Sequence, residues 1–270
     1  MNHQKGYTLS LHEFWLMSES RRPQMTHSDF IKQQKSMLRG SEINVSMSNK
    51  HVEEIRMKSN FLGRNGWAIS PFWRPFADET WYDTWFWIAY NGSADNISKY
   101  FIDNDYSLLK NINAFSRFSV DRIDWFMESE KLFEEHYYTS CAMLLTAILE
   151  ESVRRCPIEG WRKQVTVFFD NLVCAKIEDY YHKRLEPLNR YIETILLLPS
   201  IDGFLNHYFK SNYPFGKNND NTEKTEAPFL ERNWLMHGLT QRQVTELDCI
   251  RLFNVIASLH YTIRALFQKS

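Results

Sequence analysis

Cysteine is scarce, and the four present, Cys141, Cys156, Cys174 and Cys249, include no Cys-x-x-Cys pair. That spacing argues against a structural zinc site and suits a reducing compartment, where a thiol on a helix behaves as a small buried hydrophobe. Glycine (9) and proline (8) are few for 270 residues, which disfavours a turn-rich sandwich or an alternating α/β fold. Neither sign of charge is in excess: 32 Lys and Arg face 33 Asp and Glu, for a formal charge of −1. No global field then draws the chain toward nucleic acid or anionic lipid, and a polyanion would have to be gripped by a local patch. Apolar runs fall short of the roughly 20 residues that span a bilayer. The polar start, Met1 to Gly6, leads into a run broken by Ser and Glu, so no secretion leader is read there. The expectation is a cytoplasmic protein with no membrane association. P-loop, GxGxxG, HExxH, EF-hand and G-x-S-x-G strings are also missing, and no metal or cofactor is predicted.

What is abundant is hydrophobic and aromatic mass, 43% and 15% of residues, ample for a packed core. Steps of three and four predict a helix over 129–154 through Phe133, Tyr137, Cys141, Leu144 and Ile148, closed by Pro157. A second is predicted over 241–267 through Cys249, Leu252, Ile256, Leu259 and Ile263, with Thr240 and Gln243 spaced as a capping box. Helical patterns over 160–185, 187–198 and 201–211 lie between them, and others fall at 8–19, 48–62 and 94–112. The reading is an all-α protein with a boundary near 125: residues 1–125 form an aromatic-rich helical region of unassigned role, and residues 126–270 an antiparallel helical bundle. Trp67, Trp73, Trp81, Trp85 and Trp87 crowd one stretch and could stack bases, but with no basic interleaving a core role is the stronger reading. His136, placed on the apolar helix 129–154, reads as a core or interface histidine. The polar run 217–226 reads as a surface loop ending just before the segment of most interest.

That segment is Arg232-Asn233-Trp234-Leu235-Met236-His237-Gly238. A permanent cation beside a group that exchanges protons near neutral pH is what phosphodiester cleavage without a metal requires. Spacing alone is poor evidence, since Arg22 and His27 repeat it with Pro23 between them. Three features set the later match apart. Asn233 adds a neutral donor and acceptor, Trp234 to Met236 can bury the turn, and Gly238 can end a helix in the left-handed conformation. A short helix stopping at His237 would place the imidazole at the carbonyl end, which favours a proton on the ring. Along an ideal helix Arg232 and His237 are rotated by about 140°, so the two converge only through the helix end or across a partner chain. The bland alternative pairs Arg232 with Glu231 or Glu151 and leaves His237 as a cap.

The string, placed after a polar loop and before a long C-terminal amphipathic helix, resembles the HEPN superfamily, over roughly residues 128–270. The resemblance implies a metal-independent endoribonuclease of prokaryotic toxin–antitoxin, abortive-infection or CRISPR-associated antiviral defence. It also implies a homodimer whose two motifs meet at the interface, RNA as substrate, and an antitoxin or defence-system partner protein. On this chain His237 would be the acid or base that helps a 2′-hydroxyl attack the neighbouring phosphate. Arg232 would hold the scissile phosphate, Asn233 would orient one of them, and Glu151 or Glu150 would support Arg232 or His237 from the facing helix. Arg154-Arg155, Arg162-Lys163 and Lys183-Arg184 are the candidate RNA-contacting groups. Two other classes remain open: a non-catalytic HEPN-like nucleotide- or protein-binding module, and a helical scaffold or sensor acting through its first half.

Overall fold

The computed structural model describes residues 49–73, 81–157, 188–209 and 229–267. The patterns at 8–19 and 160–185, the loop 217–226, Arg22, His27, Arg162, Lys163, Cys174, Lys183 and Arg184 lie outside them. Eight α-helices make up the described fold: α1 Asn49–Arg64, α2 Trp81–Asn91, α3 Lys99–Arg117, α4 Ile123–Glu134, α5 Tyr138–Arg155, α6 Leu188–Phe209, α7 Arg232–Met236 and α8 Glu246–Phe267. A short 3₁₀ turn, Ala94–Ser98, precedes α3. Among the described residues there is no strand, so the protein is all-α, and none of their helices is long and apolar enough to cross a membrane.

Four expectations are corrected. The helix expected over 129–154 is two, because the chain reverses at 135–137. Tyr137 N–H donates to Leu132 O (2.8 Å) and His136 N–H to Phe133 O (3.1 Å), a Schellman closure with His136 at φ +63° where glycine usually sits. With no glycine to announce it, the break has no sequence signal, and His136 is exposed in the link rather than on an apolar helix face. Conversely, the patterns 187–198 and 201–211 are one helix running through Pro199. Proline removes one helical donor there; around it Ser200 Oγ donates to Leu197 O (2.9 Å) and Asn60 Nδ2 to Pro199 O (3.2 Å). The final helix starts at Glu246, not 241. Its first turn is closed by Asp248, which accepts from Thr245 N (2.9 Å) and Thr245 Oγ1 (3.1 Å), not by Thr240 and Gln243. Arg242 locks the same carboxylate with two bonds of 2.9 and 2.6 Å. Finally, α4 and α5 are antiparallel, as Arg155–Asp121 at one end and Phe133–Tyr138 at the other require, but α5 and α8 run parallel. Cys249 Sγ meets Tyr138 O (3.3 Å) near their starts, and His260 Nε2 meets Ser152 Oγ (2.9 Å) near their ends.

The crossing of α1 and α6 is set by two glycines. A Cβ on Gly63 would stand 2.1 Å from Ser200 O, and one on Gly203 would stand 2.4 Å from Asn60 O, so the two backbones touch. The stretch after α1 then threads the core. Trp67, Ala68, Ile69 and Ser70 are fully buried, and α6 and α8 satisfy their backbone groups. Ile69 N–H donates to Ser200 Oγ (3.0 Å), Asn254 Nδ2 donates to Ala68 O (2.6 Å) and Ser258 Oγ to Ile69 O (3.0 Å). These buried polar side chains stand where a loop would otherwise leave unmatched groups in the interior. Trp67 and Trp85 are core and Trp73 and Trp87 pack against it, so these four are not a base-stacking platform. Trp85 stacks on Trp73 (5.0 Å between centroids) and Trp67 on Phe101 (5.2 Å), with Arg251 lying over Trp67. Described residues on both sides of position 125 share this one apolar cluster.

Two histidines are built into the same interior. Burial pushes His260 down to about 4, with Arg264 adding to the effect and Asp121 opposing it. The Ser152 hydroxyl gives its proton to Ile148 O (2.8 Å), so His260 Nε2 is the donor to Ser152 Oγ. Burial, reinforced by Arg251, takes His207 to about 3, beside a cavity of about 10 Å³ between α6 and α8, room for roughly one water.

Candidate functional site

The segment 232–240 opens with a five-residue helix, Arg232–Met236, anchored from within. Glu231 enters extended (φ −124°, ψ 141°), Leu235 N–H donates to Glu231 O (3.0 Å), and Trp234 and Leu235 are buried. The helix ends as its sequence predicts. His237 is the C-cap, Gly238 sits at φ +67°, and the closing bonds run from Leu239 N to Trp234 O (2.9 Å) and from Gly238 N to Leu235 O (3.1 Å). Nothing lies within 4 Å of a Cβ built on Gly238, so glycine is needed there for its backbone angle alone.

Anchoring Trp234 and Leu235 inward directs Arg232 sideways onto α5. One guanidinium nitrogen, Nη2, donates to both Glu150 oxygens at 3.2 Å, and Nη1 donates to Asn233 Oδ1 at 3.0 Å. Asn233 thus orients the arginine. Of the two neighbouring acids, Glu150 supports Arg232, while Glu151 turns to Arg155 (2.7 Å) and Arg122 (3.5 Å). Glu150 is shared with Arg154, whose Nη2 approaches it to 2.6 Å. A mostly buried carboxylate bridging two guanidiniums holds both planes in fixed geometry, since each loses a strong charge-assisted bond if it rotates. Arg232 Nε is buried and has no partner among the described residues. His237 is exposed beyond the helix end, so a single chain presents a positioned guanidinium and a solvent-facing imidazole on one short turn.

The Glu150–Arg154 contact was readable as an i, i+4 pair. Arg122 was not, because only the α4–α5 hairpin brings it to Glu151. A second group of titratable side chains sits at the other end of α5, about 18 Å along its axis from Glu150. There Tyr106 OH donates to Glu246 Oε1 (2.6 Å), a bond that pushes the phenol up to about 12, and His136 Nδ1 lies 2.7 Å from Tyr138 OH. No group of three or more metal-ligating side chains occurs among the described residues. In comparisons with known proteins, no family model, no curated protein and no solved structure matches this chain.

Proposed function

We propose that the protein is a HEPN-like, metal-independent endoribonuclease of bacterial defence or growth arrest, acting as a homodimer on RNA. The observation that carries this reading is the fixed Arg232 guanidinium, held by Glu150 and Asn233, on the same five-residue helix that ends at the exposed His237. In this reading Arg232 binds the scissile phosphate and stabilises the charge that builds on it, exchanging part of its Glu150 contact for phosphate oxygens. His237 takes the proton of the 2′-hydroxyl or returns one to the departing 5′-oxygen, and the products are a 2′,3′-cyclic phosphate and a 5′-hydroxyl. Asn233 and Glu150 position the arginine and take no proton. The roughly 140° between the two side chains favours completion of the site by a second copy.

Expression of wild type against His237→Ala, scored by growth and by RNA integrity in EDTA, tests the proposal. The substitution should lower cleavage about 10²- to 10⁴-fold with an unchanged melting temperature. Equal RNA integrity for both proteins would end the nuclease reading.

One observation favours a second reading, a non-catalytic nucleotide- or protein-binding module. Arg232 already has a carboxylate partner in Glu150, as a purely structural arginine would. In that case Arg232→Ala lowers stability, and His237→Ala behaves as wild type.

A further inference from the structure

The outer corner formed by the end of α3, the start of α4 and the end of α5 is marked by two observations. The first is apolar. Phe118 is 84% exposed, and Trp125 and Ile123 are 38% and 45% exposed beside it. A phenyl ring this far out of the fold contributes almost nothing to folding, since little of its surface leaves water.

The second is the layering of charge. Arg122, Arg154 and Arg155 expose 48%, 55% and 62% of their side chains, while the carboxylates they share, Glu150 and Glu151, expose 13% and 25%. The guanidiniums therefore face solvent and the acids lie beneath them. Counting Arg232 and Arg264 with these three, five arginines stand against Asp121, Asp124, Glu150 and Glu151. Arg264 Nη1 reaches Ser119 Oγ (3.4 Å), next to Phe118. Arg122 Cζ stands over the Trp125 ring, 4.7 Å from its centroid, a cation–π pair beside which an unpaired base can stack.

We propose that this corner is the track on which the RNA strand leaving the 232–237 site is held, and that it selects single-stranded over duplex RNA. Unpaired bases stack on Phe118 and on the Arg122–Trp125 pair, and the phosphates lie along Arg154 and Arg155 toward Arg232. Duplex RNA keeps its base faces inside the helix and cannot use the aromatic rings. The proposal rests on RNA being the substrate of the 232–237 site and adds which form of it binds.

The test measures binding without cleavage. The His237→Ala protein is titrated with a fluorescent single-stranded 12-mer and with a duplex of the same sequence, and tryptophan emission is followed in parallel, with His237→Ala/Trp125→Phe as the reference that isolates Trp125 among the nine tryptophans. The expected result is tighter binding of the single strand, quenching of tryptophan emission, and about ten-fold weaker binding for Phe118→Ala or Trp125→Ala. Trp125→Phe should keep most of the affinity, and Arg155→Gln should flatten the salt dependence. Phe118→Ala leaves the core untouched, so its loss of affinity does not report unfolding. Unchanged affinity in both alanine variants, or equal affinity for the duplex, overturns the track. If wild type then still cleaves RNA, the nuclease reading survives; if the corner binds single strands but no cleavage occurs, the nuclease reading fails and the corner is no longer a track for its product strand, only a single-strand binding surface.

Discussion

At the crossing of α1 and α6, glycine is required by what it touches; in the turn after α7, it is required by the angle it adopts. Gly63 and Gly203 sit where carbonyl oxygens of the opposite helix occupy the place of a side chain. Gly238 has open space around it and a φ of +67°. The first region is closed, with Ser200, Asn254 and Ser258 hydrogen-bonded to the backbone of the buried loop. The second exposes His237 and clusters arginines on shared acids. The difference separates a part of the molecule devoted to holding its shape from a part whose polar groups face outward.

Substitution should break this contrast in a graded way. The largest effect is expected at the crossing: Gly203→Ala places a methyl 2.4 Å from Asn60 O, and the helices must separate. A loss on the order of 3 kcal/mol or more in urea denaturation is expected, since backbone cannot yield as a side chain tip can. A loss under about 1 kcal/mol would show that the crossing adjusts.

Next comes acid. His260 and His207 have folded values near 4 and 3, below the ordinary 6.5, so the folded chain binds fewer protons than the unfolded one. Their contribution is complete above about pH 6.5 and is lost as pH falls through the window from 6.5 toward 4, at about 1.4 kcal/mol per pH unit for each. His260→Gln should reduce the slope of stability against pH in that window by about one proton, read from urea melts at half-unit steps. An unchanged slope would mean that His260 titrates alike in both states.

Gly238→Ala should cost about 1 kcal/mol, all of it from backbone angle, because no neighbour is struck. The smallest effect is expected at the link between α4 and α5. His136→Gly should raise stability by a few tenths of a kcal/mol up to about 1, less whatever the Tyr138 contact returns. A Gly238→Ala cost as large as that of Gly203→Ala would erase the distinction between the two regions.

The turn after α7 was legible because everything that makes it is local: two apolar residues to bury, a histidine at the cap, and a glycine whose meaning is conformational. The break between α4 and α5 was not, although it uses the same pair of closing hydrogen bonds, because His136 stands in glycine's place. The aromatic stretch before α2 was readable as core mass, but not as a loop threaded between α6 and α8, since its partners lie more than a hundred residues away. In the candidate site, the residue types were visible, while the choice of Glu150 over Glu151 was not.

Sequence by itself determined the all-α class, the span of α1 and the short helix that stops at His237, because periodicity, composition and turn chemistry act over a few residues. Tertiary structure alone decided the parallel run of α5 and α8, the glycine crossing, the continuity of α6 through Pro199, and the carboxylate that holds Arg232. These depend on which surfaces meet. Adjacent acids on a helix point about 100° apart, so the packing of α5 against its neighbours settles which of the two an arginine can reach.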